Sequence, residues 1–120
     1  MSVNEAGVVR LTTAGLKARL DQGEPIALLD VREPEERAFC AIGGFATATD
    51  LHIPMNEIPT RLVEVRAAAE GKTLVVYCHH GVRSLAVAHW LTGQGVRDVA
   101  NLDGGIDVWS AVIDPDVPRY

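Results

Sequence analysis

Apolar residues are distributed along this chain in two alternating ways. Short unbroken apolar runs, as in "PIALLDV" (Pro25 to Val31) and "TLVVY" (Thr73 to Tyr77), read as strands buried on both faces. Between them lie stretches whose apolar positions recur at helical spacing. The first predicted helix starts at a Thr12 or Thr13 cap and runs to about Leu20, with Leu16 and Leu20 on one face and Gly23 as its stop. "EPEERAF" places Pro34 near a first helical position, followed by acids suited to a helix amino end. "AIGGFATATDLHIP" reads as a loop whose last part, Leu51 to Ile53, forms a short strand before Pro54. A helix from about Pro59 to Ala69 turns Leu62, Val65 and Ala69 inward and stops at Gly71. After the strand at Thr73 to Tyr77, a tight loop leads into a helix from about Arg83 to Thr92, closed by Gly93 and Gly95. A short strand at Asp98 to Leu102 then meets "DGGIDVW", read as a turn and a brief helix.

Strands that alternate with helices imply an α/β fold with a mainly parallel sheet covered on both sides. Such sheets bind ligands at the carboxyl ends of their strands. Asp30-Val31-Arg32 and Cys78 both sit at such ends, so the topology is expected to bring them to one rim.

Composition narrows the function classes. The 120 residues are 48% hydrophobic, without low-complexity segments, which suits one globular domain over 1–120. A net charge of −5 argues against a nucleic-acid partner, because phosphate binding needs a basic face. No run approaches the roughly 18 apolar residues of a membrane span. "MSVNEAGVVR" has neither the basic start nor the apolar core of a secretory leader. Two cysteines, Cys40 and Cys78, are too few for a disulfide framework, and a reducing, cytoplasmic compartment is the expectation. The histidines His52, His79, His80 and His89 include no pair at zinc-site spacing, so no metal is expected.

Chemistry concentrates in Cys78-His79-His80-Gly81-Val82-Arg83-Ser84. This order sets a cysteine at the end of a strand, facing the amino end of a helix. Backbone N–H groups of His79, His80, Gly81, Val82, Arg83 and Ser84 can converge there on sulfur as an anion nest. Gly81 permits the tight turn, and Arg83 adds a permanent charge. His79 and His80 read either as donors to an incoming anion or as exposed loop residues. Asp30 and Arg32 read as structural support at the rim, with a direct electrostatic role as the alternative. Trp90 and Trp109 read as packing aromatics. Cys40 is a buried small residue or, if close enough, a resolving partner for Cys78. "DPDVPRY" (Asp114 to Tyr120) leaves three fates open: docking back, reaching another subunit, or fraying.

Four stretches together resemble the single-domain rhodaneses of the sulfurtransferase superfamily. "LLDVREPEE" (Leu28 to Glu36) is similar to that family's first signature, and "HIPMNEIPTRL" (His52 to Leu62) to the segment before its third helix. "VVYCHHGVRS" (Val75 to Ser84) resembles the active-site strand and loop, and "NLDGGIDVWS" (Asn101 to Ser110) the carboxyl-terminal signature. One departure is Ala41-Ile42-Gly43-Gly44-Phe45, where the family often has a His-Ile-Pro-Gly-type turn. The additional "ATATD" (Ala46 to Asp50) is expected to lengthen the connection that follows.

The resemblance implies a rhodanese-like three-layer α/β/α fold with about five strands. It also implies a sulfurtransferase without cofactor, in which Cys78 carries sulfane sulfur as a persulfide. The expected donor is thiosulfate or a protein persulfide, the acceptor is a thiophile, and Arg83 meets an oxyanion such as the leaving sulfite. Two alternatives stand beside this reading. One is a rhodanese-fold binding or regulatory module. The other is a Cys-based phosphatase or arsenate reductase, whose loops place five residues between Cys and Arg. Here four residues separate Cys78 from Arg83, a ring better suited to one sulfur atom, and the loop holds no acid for a leaving alkoxide.

Overall fold

The computed structural model of the chain describes residues 2–3 and 7–120. The expectation of no leader in residues 1–10 therefore falls partly outside the described residues. In chain order the elements are β1 (Ser2–Val3), β2 (Val9–Leu11), α1 (Thr13–Asp21), β3 (Ile26–Asp30), α2 (Pro34–Phe39) and β4 (Ala48–His52). Two 3₁₀ turns, Met55–Glu57 and Pro59–Arg61, then lead into α3 (Leu62–Ala69), β5 (Thr73–Tyr77), α4 (Val82–Gly93) and β6 (Val99–Leu102). A short α5 (Gly105–Val108) and a π-helical turn at Trp109–Ile113 follow.

The sheet runs β1-β2-β6-β5-β3-β4, with β1 antiparallel to β2 and the other five strands parallel. This is the expected mainly parallel α/β architecture, with β1 as an added edge. β3, β5 and β6 are buried along their whole length, because helices cover both faces. Alternate residues divide the core. Leu74, Val76 and Cys78 face a cluster with Val65 of α3 and Val87, Ala88 and Leu91 of α4. Val75 and Tyr77 face Leu16 and Leu20 of α1 together with Ile106 and Trp109.

Local signals explain most element ends. Thr12 caps α1, its hydroxyl accepting from the Gly15 N–H at 3.0 Å. Glu33 and Glu36 form a capping box at α2, with Pro34 as the first helical residue. Three expectations need correction. Ala48, Thr49 and Asp50 belong to β4, paired in register with Ile26, Ala27 and Leu28, so the "ATATD" insertion is mostly strand. The expected helix from Pro59 begins as a 3₁₀ turn and becomes α-helical only at Leu62. Trp109 is buried as expected, but Trp90 keeps 37% of its surface exposed.

Candidate active site

β5 ends at Tyr77 and α4 begins at Val82, so Cys78 opens a four-residue connection at the carboxyl edge of the sheet. Gly81 is the pivot. Its φ of 98° is left-handed, and a Cβ there would lie 3.2 Å from both the Gly104 nitrogen and the Leu102 carbonyl oxygen. This turn aims main-chain donors back at the sulfur. The Gly81 N–H donates to Cys78 Sγ at 3.1 Å, and the Ser84 N–H donates at 3.4 Å. Cys78 itself is 1% exposed. Of the six N–H groups expected to converge on the sulfur, those of Gly81 and Ser84 donate to it.

Behind the sulfur runs a buried polar chain. The Cys78 thiol donates to Ser84 Oγ at 3.4 Å, and Ser84 Oγ donates to Asn101 Oδ1 at 2.5 Å. Asn101 Nδ2 donates to Asp103 Oδ1 at 3.0 Å and to the Gly81 carbonyl at 3.4 Å. Because the Asp103 carboxylate only accepts, it fixes the orientation of the Asn101 amide and leaves Oδ1 for the serine. Asp103 is anchored in turn by Arg10 Nε at 2.8 Å.

The loop is braced by the start of α5. The Ile106 N–H donates to the Cys78 carbonyl and the Asp107 N–H to the His79 carbonyl, each at 3.0 Å. That approach requires Gly105. A Cβ there would meet the His79 oxygen at 2.5 Å and the Cys78 oxygen at 2.6 Å.

Cations gather around this loop, each with a partner. Arg83 forms a two-pronged pair with Glu36, Nη1 to Oε1 at 2.7 Å and Nη2 to Oε2 at 3.0 Å. The Arg83 hydrogen bonds are the main reason that the Glu36 carboxyl is pulled down to about 2, and a Tyr120 hydrogen bond adds to them. Arg32 is fully buried against Asp30, with Nε to Oδ1 at 2.9 Å and Nη2 to Oδ2 at 2.8 Å. Arg32 also donates to the Cys40 carbonyl at 2.6 Å and to the Tyr120 hydroxyl at 2.9 Å. β3 and β5 thus bring Asp30, Arg32 and Cys78 to one rim, as the topology implied.

The remaining predicted residues divide. His79 is half-buried and its ring stacks on Tyr120 at 3.8 Å. Burial, and secondarily the neighbouring His80, lower its pKa. His80 is exposed, with Nδ1 3.9 Å from Asp107 Oδ2. Val82 starts α4 with its side chain largely in solvent. Cys40 and Cys78 are both free and buried. Among the described residues no group of three or more His, Cys, Asp and Glu could hold a metal ion, and no helix is long and apolar enough to cross a membrane.

Three residues at this site escaped the sequence reading. Glu36 carried a visible signal, an acid at the third position of a Pro-led helix, but that signal reports capping and not a partner 47 residues away. Asn101 lay inside a recognised signature without an assigned contact. Tyr120 carried no signal beyond being an aromatic residue in a polar tail.

The sequence profile of the Rhodanese-like domain matches residues 12–112. A protein of Allochromatium vinosum named "Sulfurtransferase" is 35% identical over 86% of this chain and 89% of its own length. The Arabidopsis thaliana "Rhodanese-like/PpiC domain-containing protein 12, chloroplastic" is 35% identical over 78% of this chain, which spans only 30% of that longer protein. The crystal structure of a rhodanese-like domain protein from Staphylococcus aureus superposes with a TM-score of 0.72 at 29% identity, covering 94% of this chain and 99% of that one. With the cysteine loop, its parallel-sheet setting and these likenesses in agreement, the chain belongs to the rhodanese-like domain family.

Proposed function

We propose that the chain is a sulfurtransferase that carries sulfane sulfur as a persulfide on Cys78. The observation that carries this reading is the aim of two main-chain N–H groups, Gly81 and Ser84, at one buried sulfur. Fixed dipoles of this kind favour an anion and need no reorganisation when charge arrives. A relative named "Sulfurtransferase", matched over most of its length, supports the same chemistry.

In this reading the Cys78 thiolate attacks the outer sulfur of thiosulfate. A Cys78 S–S bond forms, the bond to the sulfonate sulfur breaks, and sulfite leaves with the electron pair. The new terminal sulfur is an anion held by the loop amides. A thiophilic acceptor then attacks that sulfur and returns Cys78 as a thiolate, so no net redox change or cofactor is needed. A protein persulfide can replace thiosulfate as donor, with its thiol leaving in place of sulfite. Arg83 is committed to Glu36 and so contributes a positive field to the departing anion and not a free fork. A thiol working this way belongs in a reducing compartment such as the cytoplasm.

The test is the intact mass of reduced protein after incubation with thiosulfate, beside Cys78→Ser. One added sulfur atom on the wild type alone, removed by cyanide or dithiothreitol, supports the reading. A folded protein with free Cys78 that takes no sulfur from thiosulfate or from a small persulfide donor overturns it.

A further inference from the structure

Residues 114–120 lie beyond the stretch matched by the family profile, yet they are tied down at several points. Val117 packs against the core cluster that holds Trp109, and its carbonyl accepts from Ser110 Oγ. Arg119 pairs with Asp107 through Nε at 3.1 Å and Nη2 at 3.2 Å. Asp107 is the α5 residue whose N–H holds the His79 carbonyl, so this anchor sits directly on the active-site loop.

Tyr120 completes the arrangement. Its ring stacks on His79 with an interplanar angle of 8°, and it meets Phe39 of α2 edge-on at 5.7 Å. Its hydroxyl donates to Glu36 Oε2 at 2.7 Å and accepts from Arg32 Nη1 at 2.9 Å. One side chain therefore clasps α2, the buried Arg32 and the loop. His79 Nε2 is buried without a hydrogen-bond partner, and the main chain of Tyr120 is a polar neighbour of the same ring. A cavity of about 240 Å³ beside the loop is lined by residues that include His80, Gly81, Asn101 and Gly104, and Cys78 is not among them. None of Tyr120's partners lines it.

We propose that Tyr120 is a specificity-determining residue: its ring screens the His79 side of the loop and ranks sulfur donors by size. With the ring seated, a small inorganic donor reaches Cys78 more readily than a bulky thiol-derived or protein-borne one. Bulky donors must first displace the ring from His79 and Phe39. The consequence for sulfur donors rests on the proposed sulfurtransferase reading, whereas access to the thiol does not.

Alkylation therefore provides the test. Cys78 labelling is followed by peptide mass in the full chain, so that labelling of Cys40 is counted separately. Iodoacetamide serves as the small reagent and a polyethylene glycol maleimide as the bulky one. Tyr120→Ala is expected to raise the bulky-to-small rate ratio about tenfold, the weight of one lost aromatic stack. Tyr120→Phe keeps the ring but loses the two hydroxyl bonds, and is expected to raise the ratio less than Tyr120→Ala does. Equal acceleration in both variants, or in neither, with thermal unfolding showing intact folds, overturns the assignment. Because alkylation needs no sulfur transfer, a failure of the persulfide reading leaves this result interpretable.

Discussion

Arg83 and Glu36 face each other with both terminal guanidinium nitrogens engaged, which fastens the active-site helix α4 to the acidic helix α2. The same carboxylate also accepts from the Glu33 N–H at 3.0 Å and from the Tyr120 hydroxyl at 2.7 Å. Four donors on two oxygens explain why its pKa falls to about 2.

That depression has a definite sign in stability. A carboxyl whose folded pKa lies below its unfolded one stabilises in full above the unfolded value, near 4.5, and the contribution fades as pH falls toward 2. Both partners are partly exposed, so the pair is expected to contribute only about 1 kcal/mol. Glu36→Gln is expected to lower the unfolding temperature by about 3–5 °C at pH 7. The gap to wild type should narrow through pH 4, fall to about a quarter of its neutral value by pH 2.5, and close only below the folded value of about 2. Thermal unfolding across that range checks it, and a gap as wide at pH 2.5 as at pH 7 would assign the loss to something other than the carboxylate.

How much of this was visible in the sequence depends on how local each cause is. The strand at Thr73–Tyr77 and the helix after it were legible because an apolar run, a glycine pivot and helical spacing lie within 20 residues. Their shared rim with Asp30 and Arg32 followed from the parallel topology. β2 is three residues long and too short for a periodic signal. β4 is only partly buried along its length, as befits an edge strand, so Thr49 and Asp50 mimic a loop. The seat of Tyr120 was invisible because its hydroxyl partners are 84 and 88 residues away, and composition cannot rank one distant polar contact over another.

The buried Asp30–Arg32 pair predicts an asymmetry between single and double substitution. Asp30→Ala leaves an uncompensated guanidinium at a site with no solvent exposure, which is expected to cost about 3–5 kcal/mol. Asp30→Leu combined with Arg32→Met removes both charges and should be less destabilised than Asp30→Ala alone. Urea unfolding of the three proteins decides this. A loss under about 1 kcal/mol for Asp30→Ala would mean that water reaches Arg32.

Ser84 separates main-chain from side-chain support of the sulfur. Its proton is committed to Asn101 Oδ1, so the hydroxyl accepts from the resting thiol and is not set to donate to a thiolate. Ser84→Ala orphans the buried Asn101 oxygen and is expected to cost about 1–3 kcal/mol in stability. The Gly81 and Ser84 N–H donors survive the change, so sulfur uptake should stay within about tenfold of wild type. Chemical unfolding paired with the rate of mass gain measures both. Abolished uptake in a folded Ser84→Ala protein would shift the main role from the amides to the hydroxyl.

Gly105 tests whether the brace from α5 sets the loop. Its φ of 61° is left-handed, and the nearest contacts of an added Cβ are main-chain oxygens of His79 and Cys78, which cannot swing aside like a flexible side chain. Gly105→Ala must therefore push α5 away from the loop and stretch the Ile106 N–H to Cys78 carbonyl bond. Displacing a reacting group by about 1 Å is enough to cost roughly 100-fold in rate, and a loss of that order in sulfur uptake is expected. Gly93, the last residue of α4, has open space around its own virtual Cβ and no positive φ, so Gly93→Ala serves as the control. That change should leave uptake unaltered and, through helix propensity, add about 0.5–1 kcal/mol of stability. If Gly105→Ala retains wild-type uptake, the loop holds its own shape and the brace matters for stability alone.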